Sequence, residues 1–287
     1  MTAPLVDMRA DPRLKAGSGF MYGTAWKEDE TRRLVGLALA AGFRAIDTAN
    51  QRKHYDEAAV GDALSDAYAS GLVRREDVLL QTKFTHRRGQ DHRLPYDPKA
   101  PISTQVRQSF ESSLGHLRTS TIDSYVLHGP STKSGLAPED MEAWRAMEEL
   151  HAGGSVRALG VSNVTRAQLA LLLERASVPP SVVQNRCYAS TRWDGDVRAL
   201  CRERGIVYQG FSLLTANRRE AAHPALRAIA ARVGATPAQL IFRFALDVGM
   251  VPLTGTTDRE HMKADLAVTG LALDADDVRV IESIGLP

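Results

Sequence analysis

The chain has 287 residues, 44% of them hydrophobic and 24% charged, with 36 Lys and Arg against 34 Asp and Glu. That is ordinary globular composition, in a chain long enough to bury a large core without metals or disulfides. A net charge of +2 with scattered basic residues argues against a nucleic-acid-binding face. The pairs Arg32-Arg33, Arg74-Arg75, Arg87-Arg88 and Arg218-Arg219 read as solvated helix or loop ends. Cys187 and Cys201 lack metal-ligand spacing and suit a reducing compartment. Met1 to Arg13 carries Asp7 and Asp11 and no apolar stretch, and no apolar run is long enough to span a bilayer. The expected location is the cytoplasm, with no membrane partner.

Short β-branched runs alternate with longer amphipathic stretches. The first strand is expected over Gly19 to Gly23, followed by a helix over Thr31 to Ala41 closed by Gly42. A strand at Phe43 to Asp47 leads to a helix at Glu57 to Ser70, with Gly71 behind it. Then come a strand at Val78 to Lys83, a helix at Thr104 to Leu117 and a strand at Ile122 to His128. Pro138 opens a helix that runs to Ala152. Val156 to Ser162 and Val182 to Asn185 are strands around a helix at Arg166 to Arg175. A helix at Asp194 to Arg204 precedes the strand Ile206 to Phe211. Helices at His223 to Arg232 and Pro237 to Asp247 lead to the strand Val251 to Thr254. Asp258 to Ala267 and Asp274 to Ile284 end the chain as helices.

Strands separated by helical crossovers run parallel. Eight such units without a linker predict an α/β fold: a (β/α)₈ TIM barrel, one catalytic domain over 1–287. An open doubly wound sheet would carry a G-x-G-x-x-G turn after its first strand. Here that turn is Gly23-Thr24-Ala25-Trp26-Lys27. Two loops follow strand C-termini, where barrel active sites are built: Thr85 to Thr104, and Leu213 to Ala222.

Asp47, Lys83 and His128 each stand at the end of an apolar strand, and Tyr55 opens the helix region after Asp47. In a barrel these ends converge. Reducing a carbonyl by hydride leaves an alkoxide that must be protonated. A free phenol donates reluctantly at neutral pH, and a nearby ammonium favours phenolate. Lys83 is expected to lower the Tyr55 pKa, Asp47 to keep the ammonium charged, and His128 to orient the substrate oxygen. Taken singly, each residue also has an ordinary structural use: capping, solvation, a backbone bond or core packing.

At these residues the chain resembles the aldo-keto reductase superfamily, from about Gly19 to Leu266. "GFRAIDTA" at Gly42–Ala49, "LLQTKF" at Leu79–Phe84, "DSYVLHGP" at Asp123–Pro130 and "GVSN" at Gly160–Asn163 match in order and spacing. The resemblance implies a catalytic tetrad of Asp47, Tyr55, Lys83 and His128. It implies that Ser162, Asn163 and Gln184 hold the nicotinamide carboxamide and that Phe211 stacks on its ring. It also places Thr24, Asp47, Ser212, Leu214, Thr256, Thr257, His261 and Asp265 at the cofactor. Trp26, with His128, falls at the substrate pocket, and no metal is called for.

Three departures stand out. Position 52, where the usual spacing puts the tyrosine, is Arg; Tyr55 lies eight residues after Asp47, and neighbouring His54 is a rival proton donor. Gly255 and His261 replace the Lys and Arg that clamp an adenosine 2′-phosphate in many members. Thr256 and Thr257 at the next helix N-terminus could still bond a phosphate, with Arg259 and Lys263 nearby. Leu213 to Asn217 replaces the usual Pro- and Gly-containing turn.

The expected function is NAD(P)(H)-dependent reduction of an aldehyde or ketone, with NADP(H) favoured over NAD(H) by family habit. The alternatives are an NAD(P)⁺-dependent sugar or alcohol dehydrogenase on the same site, and a low-turnover nucleotide-binding regulatory subunit. His86, His92, Tyr96 and several Arg residues in the first long loop hint at a polar or anionic substrate. The substrate itself and the oligomeric state are not written in the residues.

Overall fold

The computed structural model describes residues 8–286. Eight parallel strands close into a barrel in chain order: β1 (Met21–Gly23), β2 (Ala45–Asp47), β3 (Leu79–Phe84), β4 (Ile122–Leu127), β5 (Val156–Ser162), β6 (Val182–Arg186), β7 (Val207–Phe211) and β8 (Val251–Thr254). β8 pairs with β1 to shut it, Met21 opposite Leu253 and Tyr22 opposite Thr254. The helices are α1 (Pro12–Ala16), α2 (Thr31–Ala41), α3 (Glu57–Ala69), α4 (Ile102–Leu117), α5 (Pro138–Ala152), α6 (Arg166–Arg175), α7 (Gly195–Glu203), α8 (Arg218–Ala221), α9 (Pro224–Val233), α10 (Pro237–Asp247), α11 (Arg259–Leu266) and α12 (Ala275–Ser283). The expected (β/α)₈ barrel is the observed fold.

The strands sort their residues by period two. Met21, Ala45, Leu79, Ala158, Val182, Val207 and Val251 form one apolar cluster inside the barrel. The residues between them, among them Tyr22, Ile46, Leu80, Leu159 and Val183, join the larger cluster under the helices. Strands buried on both faces read as nearly continuous apolar runs, which is how the sequence shows them.

Helix ends follow their local chemistry. Gly42 closes α2 at φ 117°, in the left-handed region that favours glycine. Pro138 opens α5, and Thr165 caps α6 in a reciprocal box with Gln168. At Gly61 on α3 a Cβ would stand 2.0 Å from the His116 carbonyl oxygen of α4, so only glycine lets these helices approach. The sequence missed α1, a five-residue helix too short to show periodicity. With Met8, its Leu14 packs against the inner cluster and floors the barrel. Below, Asp11 is held well under the usual carboxylate range by Arg13 and Arg157, despite its burial.

The long segment after β3 starts its helix at Ile102, two residues before the expected Thr104, and packs against the body. Tyr96 is buried and donates to the Thr85 carbonyl at 2.7 Å. His86 Nε2 lies 3.1 Å from Asp140 Oδ1. These two therefore serve packing rather than the mouth, contrary to the expectation of a substrate-facing set. The segment instead straps the loop that carries Tyr55. Gln51 Nε2 donates to the Gly89 carbonyl (2.6 Å), Gln90 Nε2 to that of Asn50 (2.8 Å) and Arg93 Nη2 to that of Arg52 (3.1 Å).

Candidate active site

Asp47, Lys83 and His128 lie at the C-terminal ends of β2, β3 and β4, on the inward face of the alternation. Lys83 is fully buried, and its Nζ donates to Asp47 Oδ1 at 2.6 Å and to the Thr48 carbonyl at 2.8 Å. Burial pulls the Lys83 pKa down, and the Asp47 charge pulls it back up. Thr24 fixes the backbone of Asp47, its N–H and hydroxyl both donating to the Asp47 carbonyl at 3.0 Å.

Tyr55 enters the same space from the loop after β2. Its ring centre is 5.3 Å from Lys83 Nζ and 6.0 Å from the His128 ring. His54 goes elsewhere. Its ring lies 3.9 Å from that of Trp26 and its Nδ1 2.8 Å from Gln51 Oε1. The three extra residues before α3 thus leave Tyr55, not His54, facing Lys83.

One electrostatic expectation is corrected. Burial first, and then the Asp47 charge, push the Tyr55 phenol above its usual value. The Lys83 ammonium, paired with that carboxylate at 2.6 Å, does not reverse this direction. His128 moves the other way, to about 3, through burial and the charges of Lys83 and His54. Its imidazole is therefore neutral at physiological pH, with Nδ1 2.7 Å from Thr85 Oγ1. The Asn163 amide nitrogen donates to the His128 carbonyl at 2.8 Å.

On the far wall, Ser162 Oγ donates to the Gln184 carbonyl at 2.5 Å, and the Asn163 backbone N–H donates to it at 3.1 Å. Gln184 turns its amide nitrogen inward, to Asp47 Oδ1 (3.0 Å) and Gln209 Oε1 (2.9 Å). Among the described residues no hydrogen bond reaches Asn163 Oδ1 or Gln184 Oε1, leaving two acceptors for an amide NH₂. Phe211 is half-buried on the inner cluster, opposite Arg186. This donor and acceptor set with an aromatic face fits a nicotinamide carboxamide.

Trp26, Asn163 and Ser212 adopt φ of 59°, 53° and 57°, left-handed values that cost a side chain energy. Trp26 is 67% exposed. Together with His54, Tyr55 and Arg93 it lines a cleft of about 320 Å³.

The remaining expected cofactor residues divide. Thr257 and His261 are exposed around the start of α11. Thr256 Oγ1 accepts from the Asp258 N–H at 3.2 Å. Leu214 is half-buried, packed against the outer cluster. Asp265 is buried, accepts from Thr254 Oγ1 at the end of β8 at 2.8 Å, and has its pKa raised by burial to about 6. The N-terminus of α11 is already capped, since Asp258 Oδ1 accepts from the N–H groups of Glu260 (2.8 Å) and His261 (2.9 Å).

Two organising residues escaped the sequence. Lys27 Nζ donates to the Gly255 carbonyl and ties the loop after β1 to the loop after β8. A Cβ at position 255 would sit 3.3 Å from that ammonium, so the glycine makes room for it. Asn217 is buried and pins the loop after β7: its Oδ1 accepts from the Ala189 N–H, and its Nδ2 donates to the carbonyls of Cys187 and Leu213. No short motif marks contacts across such distances.

Among the described residues there is no cluster of ligands suited to a metal ion, and no helix is long and apolar enough to cross a membrane. The aldo/keto reductase family model matches residues 16–285. Deoxymugineic acid synthase 1 of Oryza sativa subsp. japonica is 30% identical over 279 residues, covering 90% of this chain and 82% of that protein. An aldo-keto reductase of Mycobacterium avium (strain 104) is 30% identical over 257 residues, covering 90% and 82%. The crystal structure of an aldo/keto reductase from Brucella melitensis superposes with a TM-score of 0.80 at 26% identity, covering 99% of this chain and 97% of that one. The chain belongs to the aldo/keto reductase family, whose members move hydride between a nicotinamide cofactor and a carbonyl or alcohol group.

Proposed function

We propose that the chain reduces an aldehyde or ketone to an alcohol, with Tyr55 as proton donor and Lys83, Asp47 and His128 supporting it. The observation that carries this is the gathering of three groups at the barrel mouth, with Lys83 Nζ over the face of the Tyr55 ring, 5.3 Å from its centre, and the His128 ring 6.0 Å away. When bound, the nicotinamide supplies the hydride. Ser162, Asn163 and Gln184 hold its carboxamide, and Phe211 sets which face of the ring meets the substrate. The neutral His128 ring bonds the carbonyl oxygen and orients it. Its tautomer follows from the Thr85 hydroxyl: if that hydroxyl donates to Nδ1, Nε2 carries the hydrogen aimed at the substrate. Tyr55 then gives its proton to the developing alkoxide. The raised phenol keeps that proton until the oxygen gains charge, and the Lys83 ammonium steadies the phenolate left behind. The same residues serve alcohol oxidation, with Tyr55 as base.

Family habit favours NADP(H), but one observation favours NAD(H). The ionised Asp258 carboxylate already takes the N–H groups at the start of α11, where a 2′-phosphate clamp would be expected. A carboxylate there repels a phosphate and accepts from a ribose hydroxyl. The substrate is a small molecule, in keeping with the family's chemistry. The test is a panel of aldehydes, ketones and alcohols, assayed with both nicotinamide cofactors in both redox states. Turnover of carbonyls supports the reading, and none with any pair refutes it.

A further inference from the structure

Beneath Asp47 and Lys83 lies a layer of three glutamines whose collective role the proton-transfer account leaves open. On β3, β6 and β7 the residues two positions earlier, Leu79, Val182 and Val207, face the barrel interior. Gln81, Gln184 and Gln209 therefore fill the next inward layer. All three are buried. Carboxamides inside a protein are costly unless their polar atoms are paired. Here they pair with one another and with one carboxylate. Gln81 Nε2 donates to Asp47 Oδ1 (2.7 Å) and to Gln209 Oε1 (2.8 Å). Gln209 Nε2 donates back to Gln81 Oε1 (3.1 Å). Gln184 Nε2 closes the ring on Gln209 Oε1 and Asp47 Oδ1. The same carboxylate oxygen thus accepts from two amides and from Lys83.

We propose that Gln81 and Gln209 are positioning residues of the reaction, which hold Asp47 Oδ1 against Lys83 and keep that buried carboxylate charged. The inference rests on the proton-transfer role given above to Tyr55, Lys83, Asp47 and His128. Gln81 acts by direct donation. Gln209 acts through the amides of Gln81 and Gln184. An apolar layer would fill the barrel at lower cost, so the amides answer to the carboxylate rather than to packing. Carboxamides also solvate a charge without adding a titrating group. The titratable and charged groups facing Lys83 are Asp47 and Tyr55 after β2, Glu57 on α3 and His128 after β4. Losing the Lys83 proton would leave Asp47 as a bare buried carboxylate, a state the amide donors stabilise more than the ion pair, so without them Lys83 keeps its proton to higher pH.

Gln81→Met and Gln209→Met nearly preserve volume while removing the amides. The measurement is kcat and kcat/KM against pH for 4-nitrobenzaldehyde with saturating cofactor, alongside Tm and dinucleotide Kd. Gln81→Met is expected to lower kcat about 10- to 100-fold and to move the alkaline limb up by about one pH unit. Gln209→Met moves the limb the same way by less. The double variant should be no worse than the more affected single one, because both act through one network. An alkaline limb unmoved in both variants overturns the proposal whether or not Tm falls, since a purely structural layer would change stability alone. If Gln81→Met does not fold, Gln209→Met decides the question by the same limb. A wild-type enzyme that turns over no carbonyl would defeat the proposed function instead, so the two failures separate on the unmodified protein.

Discussion

Lys83 donates to Asp47 at 2.6 Å and lies over the face of the Tyr55 ring, 5.3 Å from its centre, so one ammonium sits between a buried carboxylate and an aromatic ring. The pairing with Asp47 explains why a charged lysine tolerates full burial.

Breaking that pair is expected to cost stability as well as activity. In Asp47→Asn the Lys83 ammonium loses its only carboxylate partner among the described residues. Removing one member of a buried pair costs about 3–5 kcal/mol. Tm should fall by roughly 5–8 °C, and Asp47→Asn/Lys83→Met should recover part of the loss. Calorimetric scans of the single and double variants check this. Equal Tm values in wild type and Asp47→Asn would mean that the pair contributes nothing.

His128 gives the protein an acid sensitivity with a definite sign. Its pKa is about 3 in the folded state, against 6.5 when free. The unfolded chain therefore binds the proton first, and stability present above pH 6.5 declines as pH falls toward 3. Urea midpoints measured across that window should drop for the wild type. For His128→Gln they should drop less, because that term is gone. Parallel curves for the two proteins would contradict the assignment.

Asp258 separates the two dinucleotides. Asp258→Ser keeps a capping oxygen for α11 and removes the charge. Affinity for NADP⁺ relative to NAD⁺ should rise by about tenfold. Fluorescence titration of both variants with both nucleotides reads the ratio. A wild type that prefers NADP⁺, with a ratio unchanged in Asp258→Ser, would restore the family habit.

The sequence reads the barrel well because strands buried on both faces and helices with periodic apolar stripes leave strong local marks. Several helices, such as Pro138–Ala152 and Pro237–Asp247, match their expected bounds residue for residue, where Pro fixes the first turn. The site is legible only where each group sits at a strand end, as Asp47, Lys83 and His128 do. Tyr55 is harder, because it lies in a loop whose spacing departs from the family pattern. The strap from Gln51, Gln90 and Arg93, with the Trp26 N–H on the His54 carbonyl, holds that loop over the barrel. Lys27 on Gly255, Asn217 on Cys187 and the Gln81–Gln209 bond join residues far apart in the chain, and no local pattern encodes them. The direction of the Tyr55 pKa was misjudged because burial, its largest cause, is a tertiary property that no local pattern shows.

The choice between Tyr55 and its neighbour His54 is the most direct trial of the whole account. Hydride transfer is followed by stopped-flow nucleotide absorbance in single turnovers with an aromatic aldehyde, for Tyr55→Phe and His54→Ala. Tyr55→Phe should slow the step by about 10²- to 10⁴-fold with nucleotide binding retained, and His54→Ala by less than about fivefold. A Tyr55→Phe enzyme that transfers hydride near the wild-type rate, or a His54→Ala enzyme that loses it, would contradict the account.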